Sequence, residues 1–126
     1  MDYKAWVKDA AKTLINSYGL NSGFASKVAL LYLYFLSYGL HPKITSGFRS
    51  PEYQKKLYDR WLAGDKSIVY KPALKSKHSV TKWGKPSALA VDISTNNPAI
   101  AALIARQLKV GAGFYFRKPD PVHFYV

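Results

Sequence analysis

From Lys66 to the C-terminus the chain is rich in lysine and arginine, and Asp92 and Asp120 are its only carboxylates. Asp120 stands three residues before His123, and Asp92 lies in an apolar run that follows a long polar stretch bearing His78. Two imidazoles and one carboxylate would give three ligands and an open position for water, which is the pattern of a catalytic zinc site. The remaining acid would then be free to transfer protons.

Each of these side chains also has an ordinary structural explanation. Asp92 could cap a helix or pair with a lysine, His78 could be a plain loop residue, and Asp120 stands between two prolines in a typical turn sequence. Together they are harder to explain in this way, because an aspartate inside the apolar run ALAVDI is costly to bury without a strong partner such as a metal cation. His41 is the one other imidazole, and we expect it to be a surface or capping residue.

Composition limits the kind of site and the size of the fold. The sequence has no cysteine, so the fold cannot depend on disulfides, and a metal would need histidine and carboxylate ligands. The 126 residues have the length of one domain, and the 48% of hydrophobic residues lies far above the level of disordered chains. We therefore expect residues 1–126 to form a single domain.

The formal net charge of +12 produces a strong positive field. Such a field favours nucleic acid, an anionic membrane or an anionic cell-wall polymer as a partner, or it simply keeps the surface soluble. The most apolar stretch, Val28 to Leu40, is too short to cross a bilayer and predicts a buried helix. The opening residues lack the layout of a secretory signal, so we expect no membrane segment and no export by that route.

The first half of the chain has the patterns of three helices and one strand, which would have to position the site. Apolar residues at helical spacing, with serine or proline at the starts and glycine at the stops, indicate the helices. In chain order the predicted elements are a helix at 5–15, a helix capped by Ser22 or Ser26 and ending at Gly39, a strand at 43–48, and a helix that begins at Ser50-Pro51-Glu52 and ends near Ala63.

The second half predicts a long loop, one helix and a small sheet, so the whole chain predicts an α+β fold. Residues 64–86 lose periodicity and collect glycine, proline, serine and lysine, which is typical of a functional or mobile loop. Beyond it, 88–93 predicts a buried strand, and 113–116 and 122–126 predict a hairpin. Asn97-Pro98 opens a helix whose apolar face is predicted to include Ile100, Leu103, Ile104 and Leu108.

Four blocks resemble, in the same order, those of the zinc peptidoglycan peptidases, which include D-Ala-D-Ala carboxypeptidases of the VanY type and L-Ala-D-Glu endopeptidases among phage endolysins. TSGFRSPEYQ at 45–54 is similar to a Ser-Gly-Tyr-Arg-Ser block followed by Gln, and DPVHF at 120–124 is similar to a closing block with an acid three residues before the last zinc histidine. SKH at 76–78 and ALAVDI at 88–93 are similar to the Ser-x-His and Gly-x-Ala-x-Asp halves of the zinc block. The first two predicted helices have no diagnostic match.

This resemblance implies helices packed on a small, mainly antiparallel sheet that bears a zinc site, as in the fold of hedgehog and the D-Ala-D-Ala peptidases. It implies hydrolysis of peptide bonds in peptidoglycan stem peptides, and of the two activities we favour the L-Ala-D-Glu endopeptidase over the carboxypeptidase. The implied site consists of Zn²⁺ bound by His78, Asp92 and His123, of Asp120 as general base, and of Arg49, Ser46 and Gln54 as substrate-binding residues.

Arg49 is the implied contact to substrate, because its rigid fork of donors matches the free carboxylates of stem peptides. A structural salt bridge with Glu52 or Asp59 is the alternative. Tyr70 and Trp83 could form a wall of the substrate groove, or they could pack the long loop down.

Two features depart from the family pattern. Asp92 follows His78 by fourteen residues, which is more than is usual in the family, so SVTKWGKPS at 79–87 looks like an insertion. Ala88 stands where the family has glycine. The longer segment must still bring the imidazole of His78 to the metal.

Without a signal or a separate wall-binding domain, the chain fits a phage lysis enzyme or a virion-associated lysin. We expect it to be made in the host cytoplasm and to act, as a monomer, on the anionic cell wall. A nucleic-acid-binding module is one rival, but no recognised motif supports specific nucleic-acid binding. A non-catalytic wall-binding domain of the same fold is the other.

Overall fold

The computed structural model describes residues 2–68 and 70–126, which contain four α-helices and six strands. In chain order these are α1 (Tyr3–Tyr18), α2 (Ser22–Ser37), β1 (Lys43–Ser46), α3 (Pro51–Leu62), β2 (Thr81–Lys82), β3 (Lys85–Pro86), β4 (Ala90–Ser94), α4 (Pro98–Gln107), β5 (Gly111–Ala112) and β6 (His123–Tyr125). Short 3-10 helices lie at Lys77–Ser79 and Gly113–Tyr115. None of the helices in the described residues is long and apolar enough to cross a membrane.

Side-chain caps set the starts of the helices. The Ser50 side chain accepts a hydrogen bond from the backbone N–H of Tyr53 and Pro51 follows it, which confirms the predicted start of α3. For α2 the predicted caps were wrong. Asn21 takes that position, and its side chain accepts from the backbone N–H of Phe24, because asparagine caps as well as serine does and stands one residue earlier.

The main sheet has the strand order β1-β4-β6-β5, with every neighbouring pair antiparallel. This confirms the predicted α+β fold with a small antiparallel sheet. Strand β4 lies between β1 and β6, and its Asp92 stands opposite Ser46 on one side and His123 on the other. The centre of the sheet therefore brings together residues that are far apart in the sequence.

The core lies between the helices and the sheet, and Phe35 of α2 meets Phe124 of β6 with ring centroids 5.7 Å apart. In α4 the buried residues are Ala101, Ala102 and Ala105, whereas Leu103 is 50% exposed. The predicted apolar face of α4 was therefore wrong in part, with Ile100 and Leu103 on the exposed side and Ile104 and Leu108 packed against the core. Small side chains face inward because α4 packs against both α2 and β5, where alanine permits close approach.

The predicted C-terminal hairpin exists, but its first arm is the short β5, and residues 113–115 turn instead of continuing the strand. Gly111 explains the position of β5, since a Cβ there would lie 2.4 Å from the ring of Tyr125. The predicted loop at 64–86 was wrong in one part, because residues 81–86 form the β2–β3 hairpin. Trp83 and Gly84 both have positive φ, as the central residues of a type I′ turn require.

Candidate metal centre

Three side chains meet beside the central strand of the main sheet. His78 Nε2 lies 3.3 Å from Asp92 Oδ1, and His123 Nδ1 lies 3.2 Å from the same oxygen. One ligand atom from each residue lies within 4.8 Å of the others, so the group could hold a metal ion. The structure thus brings together the three residues that the sequence predicted as ligands.

Each of the three residues is placed by a different element. Asp92 lies on the central strand β4, and the antiparallel register sets His123 of β6 directly across from it. His78 lies in the 3-10 helix, where the side chain of Ser76 accepts a hydrogen bond from the His78 backbone N–H. Backbone hydrogen bonds of sheet and helix therefore fix the donor positions.

The long spacing between His78 and Asp92 does not separate them in space. The intervening chain folds back on itself, because Ser87 N–H donates to Val80 O at 2.9 Å and Leu89 N–H donates to Lys77 O at 2.8 Å. These two bonds close the base of the β2–β3 hairpin. The segment 79–87 therefore forms a projecting hairpin, and His78 and Asp92 meet at its base.

The tautomer of His78 is set by a backbone carbonyl. Nδ1 lies 2.8 Å from Gly47 O, and since a carbonyl only accepts, Nδ1 carries the proton and leaves the lone pair on Nε2. The residue is 2% exposed, and Nε2 makes no hydrogen bond within the described part of the chain. A buried lone pair then faces a carboxylate oxygen, and a cation between them would satisfy both.

Asp92 is 8% exposed. Burial raises the pKa of the Asp92 carboxyl, but hydrogen bonds donated by His123 and His78 when these rings are protonated, together with the charge of the Arg49 guanidinium, outweigh burial and hold that pKa well below its usual range. Arg49 Nη2 donates to Asp92 Oδ2 at 2.9 Å, and Arg49 Nε donates to Ser46 Oγ at 3.0 Å. One carboxylate oxygen thus pairs with arginine while the other faces the two imidazoles.

The salt bridge of Arg49 differs from the predicted alternative. It joins Asp92 across the sheet, whereas Asp59 pairs with Lys55 one turn earlier on α3. Pairing with Glu52 or Asp59 was therefore a wrong alternative. A partner across strands depends on the register of β1 and β4, which local sequence does not specify.

Asp120 lies in the turn before β6 and lines the same cleft as the three metal-ligand candidates. Its backbone N–H donates to Gly113 O at 2.9 Å, and its carbonyl accepts from His123 N–H at 3.2 Å. Burial, followed by the negative charge of Asp92, raises the pKa of Asp120 above the ordinary value. A carboxylate of raised basicity beside the cluster is suited to accept a proton.

The cleft beside the cluster has a volume of about 690 Å³. Gln54 lines it at 2% exposure, and its Nε2 donates to Ala73 O at 2.8 Å, which ties α3 to the loop that forms one wall. Ser46 lines a neighbouring depression and contacts the guanidinium of Arg49. Of the residues predicted to bind substrate, Arg49 and Gln54 face the cleft and Ser46 supports Arg49.

Sequence reasoning pointed to Tyr70 but missed the rest of the aromatic and cationic rim of the cleft. Phe116 packs 6.0 Å from the ring of His123, and Tyr125 stacks on His123 at 5.5 Å, both distances between ring centroids. Ammonium groups lie over aromatic rings around the cleft in the pairs Lys71 with Trp61, Lys77 with Tyr125, and Lys118 with Tyr70. The sequence showed interleaved lysines and aromatics, but their pairing depends on tertiary structure.

The remaining aromatic and imidazole candidates lie at different places. Tyr70 lines the cleft, which agrees with the alternative that it forms a wall of the groove. Trp83 is 90% exposed at the tip of the β2–β3 hairpin, so it neither lines the cleft nor packs the loop down. His41 is exposed, with a φ of 48°, just before β1, and it is not part of the His-Asp-His group.

No protein-family model matches the chain, and no curated protein matches it in sequence. Solved structures do match. The L-Ala D-Glu endopeptidase ChiX of Serratia marcescens has a TM-score of 0.61 and 16% identity over 97% of this chain and 86% of its own. A variant of the vancomycin-resistance D,D-pentapeptidase VanY, in complex with Zn(II), has a TM-score of 0.58 and 18% identity over 84% of this chain and 71% of its own. The chain therefore has the fold of these two peptidases.

Proposed function

We propose that the protein is a zinc-dependent peptidase that hydrolyses stem peptides of bacterial peptidoglycan. The observation that carries this proposal is the convergence of His78 Nε2, Asp92 Oδ1 and His123 Nδ1 from three separate segments. It occurs in the fold shared with an L-Ala D-Glu endopeptidase and with a D,D-pentapeptidase whose structure contains Zn(II).

The donor set fits zinc. Two neutral imidazoles and one carboxylate are the usual ligands of a catalytic zinc ion and leave one position open. When bound, zinc acidifies water and polarises a substrate carbonyl. Arg49 pairs with the Asp92 oxygen turned away from the imidazoles and so orients the carboxylate, as supporting partners of metal ligands do.

Asp120 is the proposed general base. Its carboxylate would take the proton from the attacking water and deliver it to the leaving amine, a role helped by its raised pKa. The guanidinium of Arg49 retains N–H donors beyond its bonds to Asp92 and Ser46, and these would hold a carboxylate of the stem peptide. Gln54 would keep the wall of the cleft in place through its bond to Ala73.

Among peptidoglycan bonds, we propose the one between L-Ala and D-Glu. The structural match to the endopeptidase ChiX covers a larger share of this chain, and a larger share of the matched chain, than the match to VanY does. We propose the role of a phage lysis enzyme or virion-associated lysin, with residues 1–126 acting as a single, monomeric peptidase domain. The net charge of +12 would concentrate such an enzyme on the anionic wall.

Purified muropeptides incubated with the protein, with and without a chelator, test the proposal by mass analysis of the fragments. We expect chelator-sensitive cleavage and a new D-Glu amino terminus. Asp120→Asn should lower kcat/KM by about 10² to 10⁴ while zinc stays bound, because only proton transfer is lost. Asp92→Asn should lose zinc as well as activity.

Asp9→Asn, an exposed change on α1, is the matched control and should leave both zinc content and cleavage unchanged. Cleavage that survives complete removal of metal would contradict the zinc site. Full activity of Asp120→Asn would contradict only the assignment of Asp120 as general base and would leave the zinc site standing. Release of D-Ala without any new D-Glu terminus would assign the carboxypeptidase activity instead.

A further inference from the structure

The outer face of the α1/α2 pair carries two adjacent rows of side chains on α1. Residues four apart lie on one ridge of a helix, about 6 Å from one to the next. The apolar row consists of Tyr3 and Ile15, which are exposed, and of Val7 and Ala11 between them, which pack against the core; the lysine row beside it consists of Lys4, Lys8 and Lys12. This surface therefore carries a row of apolar side chains beside a line of positive charge.

The apolar row forms the floor of an open groove. A section of about 530 Å³ is closed on the α2 side by Ser22, Ser26 and Leu30. A second section of about 410 Å³ continues along Leu33 and Tyr34 and shares Tyr3 and Leu30 with the first. The two sections make one elongated groove, with the lysine row along one edge.

The lysine row works against the local stability of α1. Like charges four residues apart on a helix repel each other, and Lys4 lies in the first turn, where the helix dipole disfavours a cation. Within the described part of the chain, none of the three lysines forms an ion pair. The ammonium groups are exposed and available to an anionic partner.

This groove is separate from the metal centre. The C-terminal end of α1 approaches the site, since Tyr18 O accepts from Phe48 N–H and the neighbouring Gly47 carbonyl faces His78. Lys12 lies six residues before Tyr18, and Lys4 lies fourteen residues before Tyr18. The lysine row therefore extends from roughly 9 Å to roughly 21 Å away from Tyr18 along the helix axis. An occupant of the groove would leave the cleft open.

We propose that this face binds the surface of an anionic phospholipid membrane. The lysine row would contact headgroup phosphates, and the apolar groove would take up the adjoining acyl segments. Tyr3, 61% exposed, and Tyr34 border the groove with the amphipathic rings that settle at a membrane interface. An anionic wall polymer or a nucleic acid would use the lysines but would leave the apolar floor exposed to water.

Co-sedimentation of the full chain with phosphatidylglycerol/phosphatidylcholine vesicles, compared with phosphatidylcholine alone, tests this binding. We expect binding only to the anionic vesicles. The triple variant Lys4→Gln, Lys8→Gln, Lys12→Gln should bind about 100-fold more weakly, since each surface lysine contributes roughly fivefold. Tyr3→Ser with Ile15→Ser should also weaken binding, and that loss should persist at high salt.

The matched control is Lys66→Gln, Lys82→Gln, Lys85→Gln, which removes the same charge from exposed sites elsewhere. The affinity of this control variant for anionic vesicles should stay within about fivefold of the parent's affinity, because charges beyond a Debye length of about 10 Å are screened. Equal losses in the two triple variants, or no vesicle binding by the parent, would overturn the proposal. So would vesicle binding that is unchanged by Tyr3→Ser with Ile15→Ser.

Muropeptide cleavage in solution should be the same for all these variants, so a failure of the proposed enzyme activity is distinguishable from a failure of membrane binding. Circular dichroism checks that each variant is folded. Binding of purified anionic wall polymer that depends on the lysine row, without vesicle binding, would assign the row to the polymer and reject the membrane.

Discussion

Gly113 lies where the turn bearing Asp120 comes closest to the end of β5. A Cβ at this glycine would lie 2.4 Å from Asp120 O, 3.0 Å from His123 Cβ and 3.2 Å from Asp120 Cβ. The closest of these atoms is backbone, so it cannot move aside as a flexible side chain does. The absence of a side chain at Gly113 thus leaves the room that Asp120 and His123 occupy.

Gly113→Ala should therefore disturb the site more than its size suggests. We expect the free energy of unfolding to fall by about 1–3 kcal/mol, as for overpacked cores, and zinc affinity to fall with it. Chemical denaturation and zinc titration measure the two effects. Gly23→Ala is the control, since its Cβ meets only Asn21 Oδ1 at 3.4 Å at the start of α2, where alanine should be neutral or stabilising. Equal effects of the two changes would contradict the argument.

At this scale the sequence could predict residue types but not every partner. His78, Asp92 and His123 were predicted because few donors were available and the blocks resembled known zinc blocks. The partner of Arg49 was not predicted, because it stands on a strand that is remote in the sequence. Neither was the role of Gly47, whose carbonyl fixes the His78 tautomer.

The elements of the fold were predicted where local chemistry decides them. Ser50-Pro51 marked the start of α3, and ALAVDI marked the central strand. The inward face of α4 was predicted wrongly in part, because hydrophobicity favours leucine and isoleucine while the interface with α2 and β5 requires small side chains. Helical periodicity predicts which residues form the apolar stripe of a helix, but tertiary packing decides which part of that stripe is buried.

Ala105→Leu should destabilise the protein, because Ala105 is completely buried in this narrow interface. We expect a loss of about 1–3 kcal/mol in the free energy of unfolding. Leu103→Gln on the same helix should change it by less than about 0.5 kcal/mol, as exposed substitutions do. Urea denaturation of both variants tests the orientation of α4, and the opposite ranking would show that the helix buries its leucine face.

In the whole molecule, the candidate ligands come from a 3-10 helix, the central strand and the last strand. The resemblance of sequence blocks predicted that these segments meet, and the structure shows how. Strand order and register place β6 beside β4. Neither strand order nor the shape of the 79–87 projection is written in local sequence, because both depend on pairing between distant segments.

Zinc should stabilise the whole fold, because it would bind the folded arrangement of three segments and not the open chain. At a free zinc concentration of 100 Kd the gain is about 2.7 kcal/mol, which thermal unfolding detects as a raised Tm. A chelator should reverse the shift. His123→Ala should abolish it, whereas His41→Ala, which removes an exposed imidazole, should retain it. A shift that is lost equally in both variants would contradict the assigned ligands.

The closed base of the β2–β3 hairpin has a practical consequence. Since Val80 and Ser87 are already bonded to each other, residues added between Trp83 and Gly84 would lengthen only the outward end of the projection. The hairpin tip is thus a natural graft point, where an epitope or a fluorescent reporter could be carried without pulling on the imidazole or the carboxylate that flank it in the chain.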